Sequence, residues 1–206
     1  MDVSAFARLS PTAFSDVLTR ERVMDYGIRP VWQPIPRIAG PAYPVRCGKA
    51  DNLMLHAAIH RASPGAVIVV EAGDCDYAMS GGNVCAWAQR RGIADFVADG
   101  VVRDVAEVRA LGFPVFARGV MPIPGGKDKS GVLNGPVLVE ACAWNRATSW
   151  SPTRKASSSS TRPGAEELLR SAEAKAAKDV TVSLEQWAAA HRRRIDETLR
   201  QLGYTG

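Results

Sequence analysis

An α/β fold, with a mainly parallel sheet and a helical C-terminal tail, is what this sequence predicts. Three observations predict it. The run AVIVVEAG (66–73) is continuously apolar and β-branched, as a strand buried on both faces requires. IADFVADG (93–100) and FPVFARG (113–119) repeat that pattern. Between them stand two segments of helical spacing, GGNVCAWAQRRG (81–92) and VRDVAEVRALG (102–112), each closed by a glycine. Strand–helix–strand–helix–strand implies parallel pairing through right-handed crossovers.

The flanking elements follow. LSPTAFSDVLTRERVM (9–24) suggests a short helix with Ser10 as cap and Pro11 at its first position. IRPVWQPIPRIAGPAYPVRC (28–47) is rich in proline, so a loop followed by an edge strand is expected. DNLMLHAAIHRASPG (51–65) carries its apolar residues at helical spacing, with Asp51 as cap and Pro64-Gly65 as stop. The stretch from Gly164 to Gly203 is mostly helical, with charges at i,i+4 spacing on a solvated face. The expected organisation is a core domain over 1–164 and a helical extension over 165–206.

Composition narrows the function. With 206 residues and 46% hydrophobic content, one ordinary domain and a tail fit. No apolar run approaches the roughly 20 residues of a membrane span. The N-terminus has Asp2 and no continuous apolar core, so a secretory signal is not expected. Cys47, Cys75, Cys85 and Cys142 form no CxxC pair, which suits reduced thiols, a cytoplasmic location and no zinc site.

The segment ACAWNRATSWSPTRKASSSSTRPG (141–164) breaks the pattern. It can be a Ser/Arg-rich linker. It can also be a stretch translated out of frame, by a base lost after Glu140 and one gained before Ala165. With GC-rich codons the other frame reads G-V-R-V-E-P-G-D-V-V-V-A-D-E-E-G-I-V-V-V-D-P-A-R, a strand–turn–strand pattern. The written segment holds Arg146, Arg154, Lys155 and Arg162 and no acid, whereas the alternative is acidic. The net charge of +5 is therefore weak evidence for a nucleic-acid partner, and none is expected. Resequencing the gene is expected to find the two base errors; an intact frame would leave the linker standing.

Four features can carry chemistry. Gly81-Gly82 opens a helix, where exposed N–H groups favour an anion; it can equally be a turn that needs glycine. Arg103-Asp104 joins a strand to a helix. Arg can clamp a carboxylate, and Asp suits a hard ion such as Mg²⁺ that keeps several waters; a helix-start acid beside a surface Arg looks the same. Arg118-Gly119 ends a strand. His56 and His60 stand at i,i+4, a metal spacing, but lack the Glu of a metalloprotease helix. No Walker loop, GxSxG or GxGxxG is present.

GGNVCAWAQRRGIADFVADGVVRDVAEVRALGFPVFARG (81–119), with ADNLMLHAAIHRASPGAVIVV (50–70) upstream, resembles the RraA-like family, over roughly residues 8 to 140. That family includes class II 4-hydroxy-4-methyl-2-oxoglutarate aldolases and regulators of ribonuclease E activity. The resemblance implies a swivelling β/β/α domain with a mixed parallel sheet, a homotrimer (or hexamer) and active sites between subunits. It implies Mg²⁺ or Mn²⁺ on Asp104, with Arg103 binding the pyruvate-like part of a 2-oxo acid. It implies further that the turn of Gly81, Gly82, Asn83, Val84 and Cys85 takes the substrate carboxylate. The activity implied is a carbon–carbon lyase forming pyruvate through a metal-stabilised enolate, with oxaloacetate decarboxylation as a side activity. The alternative is a non-catalytic trimer that binds a ribonuclease or another protein; retention of Arg103-Asp104 argues for the enzyme. One departure is that the aldolases carry an acid where this chain has Gly82, a proton-transfer group worth about 10²–10⁴-fold. An acid from a neighbouring subunit completes the site in some relatives, and Glu185, Asp196 and Glu197 are the candidates here.

Overall fold

The computed structural model describes residues 4–139, 142–144, 149–150 and 162–204. Two short helices, α1 (Ser4–Arg8) and α2 (Pro11–Ser15), open the chain. Ser10 caps α2 by accepting from Thr12 N–H, with Pro11 in the first turn as its missing donor allows. The central elements are β1 (Arg29–Pro30), β2 (Gly40–Arg46), α3 (Leu53–Arg61), β3 (Val67–Glu71), α4 (Gly82–Arg90), β4 (Asp95–Val102), α5 (Val105–Leu111) and β5 (Val115–Val120). β6 (Val132–Leu133), β7 (Val137–Val139), β8 (Cys142–Trp144) and β9 (Ser149–Trp150) follow, then α6 (Arg162–Thr181) and α7 (Leu184–Gln201).

The main sheet runs β1-β5-β4-β3-β2-β6, with β9 also on β2. β2 to β5 are parallel, and β1, β6 and β9 are antiparallel additions. Ile68, Val70, Phe96 and Ala98 face α3, α4 and α5, packing with Leu55, Ile59, Cys85, Ala88 and Val108. Val67, Val69, Val97 and Phe116 face the β7–β8 hairpin through Val137, Val139, Cys142 and Trp144. The layers are therefore helix, sheet and hairpin, the β/β/α arrangement expected.

Two expectations need correcting. β2 is not an edge strand, since it lies between β3 and the short β6 and β9. Pro44 is tolerated because it falls between β9, which reaches Gly40 and Pro41, and β6, which reaches Val45 and Arg46; on that side its carbonyl accepts from Asn134 N (2.7 Å) and no strand partner calls for the donor it lacks. β4 does not stop at Asp99-Gly100. It continues to Val102 through an irregularity between Ala98 and Val101, and a Cβ on Gly100 would lie 2.6 Å from Ala72 Cβ.

Asp51 does more than start α3. It is 1% exposed and accepts from Leu53 N (2.8 Å), Asp128 N (2.6 Å) and Lys129 N (3.1 Å). Backbone bonds from Asn52 N to Gly126 O and from Gly126 N to Ala50 O complete the tie. The 126–129 loop is thus fastened to the start of α3.

Helix α6 packs on the N-terminal helices, with Ala165, Leu168 and Ala172 against Phe6, Ala13 and Phe14, and Lys175 Nζ 3.6 Å from Asp16. α7 follows a capping box at Ser183 and Gln186 and buries no side chain. The suspected frame change over 141–164 falls largely on 141, 145–148 and 151–161, outside the described residues. Within it Cys142 and Trp144 are buried and Ala143 is exposed, an in–out–in pattern that V-R-V of the other frame shares. Among the described residues no helix is long and apolar enough to cross a membrane.

Candidate functional site

The site forms where the carboxyl end of β4 meets the segment entering α4. In an open α/β sheet this is where ligands gather. Residues 78–80 run beside 101–103: Met79 N donates to Val101 O (2.8 Å) and Arg103 N to Ser80 O (2.9 Å). That pairing sets Gly81-Gly82 directly against Arg103-Asp104.

Asp104 occupies the N-cap position of α5 in a left-handed conformation, φ 56° and ψ 43°. A non-glycine residue visits this region rarely, Asp and Asn more readily than others. The consequence is that Asp104 does not cap its own helix. Its Oδ2 accepts from Gly82 N at 3.0 Å, across to the start of α4. A carboxylate at a helix N-terminus is favoured by the unpaired N–H groups and by the helix dipole. Strained backbone that aims a carboxylate at a neighbouring element is characteristic of functional sites.

The glycines fit this approach. Gly81 is extended, φ −154°, so its backbone would accept any residue. Space is the constraint: a Cβ there would overlap Asp104 Oδ2 and stand 2.9 Å from Arg103 Cγ. A Cβ on Gly82 would lie 3.1 Å from Glu107 Cβ and 3.7 Å from Asp104 Cβ. Beyond Gly82, Cys85 N donates to Gly81 O (2.9 Å), so its amide is already used. The amides of Asn83 and Val84 have no acceptor among the described residues. The Cys85 side chain is fully buried and burial pushes its thiol up to about 12, so it stays protonated beneath the turn.

Arg103 Nε stands 3.6 Å from Asp104 Oδ2, with each side chain 40% exposed. An exposed pair of this kind contributes little stability. No other described residue accepts from the guanidinium, so its fork can receive a planar carboxylate. Asp104 Oδ1 likewise has no described donor. Among the described residues no group of three or more His, Cys, Asp or Glu comes together as a metal cage. One hard oxygen ligand in a half-open mouth fits Mg²⁺ or Mn²⁺, which retain waters; it does not fit zinc.

The other candidates lie elsewhere. Arg118 pairs through Nε with Asp99 Oδ1 on the neighbouring strand. His56 is half-buried, and its imidazole is held below the usual range by burial, with Lys127 and His60 adding to it. His60 is exposed, its ring 6.1 Å from that of Trp87. Within one chain Glu185, Asp196 and Glu197 remain on α7, bonded to Ser183, Arg192 and Arg200 respectively. Sequence reasoning passed over Glu107, which looks like an ordinary first-turn acid; Asp-x-x-Glu straight after a strand was the available signal.

Comparison with known proteins agrees with this architecture. The RraA-like family profile, described as Aldolase/RraA, matches residues 9–147. A protein of Halalkalibacterium halodurans named "Putative 4-hydroxy-4-methyl-2-oxoglutarate aldolase" is 37% identical over 136 residues, 66% of this chain. The matched region spans 64% of that relative's own length. A protein of the same name from Albidiferax ferrireducens is 32% identical over 158 residues, covering 72% of this chain and 82% of its own. Among solved structures, the RNA-processing inhibitor RraA from "Thermus thermophilis" superposes with TM-score 0.64 at 23% identity, covering 70% of this chain and 88% of its own. Streptomyces coelicolor RraAS2, of the RNase ES inhibitor RraA family, gives 0.70 at 22% identity over 93% of this chain and 96% of its own. At those identities the superpositions establish the fold. With the profile match across the sheet and its Gly-Gly and Arg-Asp junction, the chain belongs to the RraA-like family.

Proposed function

We propose that the chain is a divalent-cation-dependent lyase that releases pyruvate from a 4-hydroxy-2-oxo acid or from oxaloacetate. The carrying observation is the left-handed Asp104, whose carboxylate faces the start of α4 beside the Arg103 guanidinium. The names borne by the relatives from H. halodurans and A. ferrireducens support the same reading.

The residues have separate tasks. Arg103 receives the carboxylate of the pyruvate half through its unoccupied N–H groups. The amides of Asn83 and Val84 add partial positive charge from the α4 N-terminus. Asp104 would hold Mg²⁺ or Mn²⁺, and such an ion supplies Lewis-acid polarisation of a 2-oxo group. Gly81 keeps the carboxylate and the amides at contact distance. A homotrimer or hexamer is the expected assembly. Exposed Leu184, Trp187 and Ile195 on α7, with Leu202 just after it, support burial against another copy.

The test is pyruvate release from 4-hydroxy-4-methyl-2-oxoglutarate and oxaloacetate, followed through a coupled dehydrogenase. Release with Mg²⁺ or Mn²⁺, loss with a chelator and return on adding Mn²⁺ are expected. An enzyme that releases no pyruvate in saturating Mn²⁺ would sink the proposal.

A further inference from the structure

Glu107 is a carboxylate the fold does not use. It is the third residue of α5, a position whose acid normally reaches back to the N-cap amide. The left-handed backbone of Asp104 removes the normal cap geometry, and no hydrogen bond or ion pair joins Glu107 to a described residue. Yet its stem borders the site. The place a side chain at Gly82 would fill lies 3.1 Å from Glu107 Cβ, 3.6 Å from Glu107 Cγ and 3.7 Å from Asp104 Cβ. Gly82 therefore leaves open a gap flanked by both acids, and the exposed Glu107 side chain can swing across it.

We infer that Glu107 is the general base for cleavage of the 4-hydroxy-2-oxo acid. This rests on the lyase reading above and adds a catalytic residue to it. The Glu107 carboxylate takes the proton of the substrate's C4 hydroxyl. The C3–C4 bond breaks, C4 leaves as a carbonyl, and the electron pair passes to C3 and the 2-oxo group as the pyruvate enolate. The same proton then returns to C3, giving pyruvate and regenerating the carboxylate. Arg103 cannot accept a proton, because its guanidinium stays charged. Asp104 is committed to Gly82 N–H and faces the Arg103 guanidinium. Of the two acids that border the gap, Glu107 is the one with no hydrogen bond or ion pair to a described residue.

The test separates two reactions of the full-length, Mn²⁺-loaded protein. Cleavage of 4-hydroxy-4-methyl-2-oxoglutarate requires a hydroxyl proton to be removed, whereas oxaloacetate loses CO₂ without one. Glu107→Gln is isosteric and exposed, so the fold should persist, as circular dichroism would verify. The aldol cleavage is expected to fall by about 10²–10⁴-fold, the usual share of a general base. Oxaloacetate decarboxylation and Mn²⁺ affinity, read by electron paramagnetic resonance without substrate, are expected to stay within about threefold. Unchanged cleavage, or both reactions falling together, would overturn the role of Glu107 and leave the lyase intact. Wild-type protein inactive on both substrates would overturn the lyase reading, and the base with it.

Discussion

Asp104→Asn is expected to lower pyruvate release by about 10³-fold or more while leaving the folded protein intact. Lewis-acid stabilisation of developing charge is worth several kcal/mol, and each 1.36 kcal/mol is tenfold in rate. A neutral amide oxygen is a poor substitute for a carboxylate toward a hard divalent ion. The fold should be indifferent, because Asn tolerates the left-handed region that residue 104 occupies at φ 56°. Its side-chain oxygen can still accept from Gly82 N. Alanine is the poorer probe, since it would add about 1–2 kcal/mol of backbone strain to the chemical loss. Steady-state rates, Mn²⁺ titration and a melting curve on Asp104→Asn decide the matter. A variant with wild-type rate would remove Asp104 from the chemistry.

Asp51→Ala is expected to destabilise the protein by about 3 kcal/mol at neutral pH, without touching the site. The side chain is buried and accepts three backbone amides, two of them from the 126–129 loop. Removing it strands donors that have no water to turn to, at about 1–3 kcal/mol for each buried group left unmatched. The loss depends on pH with a definite sign. Burial pushes the Asp51 carboxyl up, but the amides of Asp128, Leu53 and Lys129 outweigh it and hold it below the ordinary carboxylate value. A depressed folded-state pKa gives stability that is present above the unfolded value of about 3.9 and disappears as pH falls through the folded one. Urea unfolding at pH 7 should therefore separate wild type from variant widely, and the separation should shrink below about pH 4. An equal separation at pH 7 and pH 2 would mean that the carboxylate's charge is not what holds the loop.

Sequence pattern made β3, β4, β5 and the helices between them legible, because continuous β-branched runs alternate with helical spacing and glycine stops. It failed where non-local contacts decide. Prolines 41 and 44 argued for an edge, yet β2 is interior, with Pro44 falling in the gap between its short outer neighbours β9 and β6. The strand was expected to end at Asp99-Gly100, yet β4 runs on to Val102, since Gly100 fits beneath Ala72. At the site, the residue types at 103–104 and 81–82 were legible. What could not be read was that Asp104 serves a helix 22 positions upstream, which depends on the pairing of 78–80 with 101–103. Arg118 was plausible by type, but Asp99 engages it across adjacent strands.

The backbone at residue 104 also limits how this protein can drift. Few residues sit comfortably there, and asparagine is one of them. A single purine transition in either aspartate codon, GAC to AAC or GAT to AAT, supplies it. One base change would thus yield a chain that keeps this backbone but lacks the carboxylate on which the proposed metal-dependent reaction rests, a ready starting point for a lineage that keeps only the scaffold.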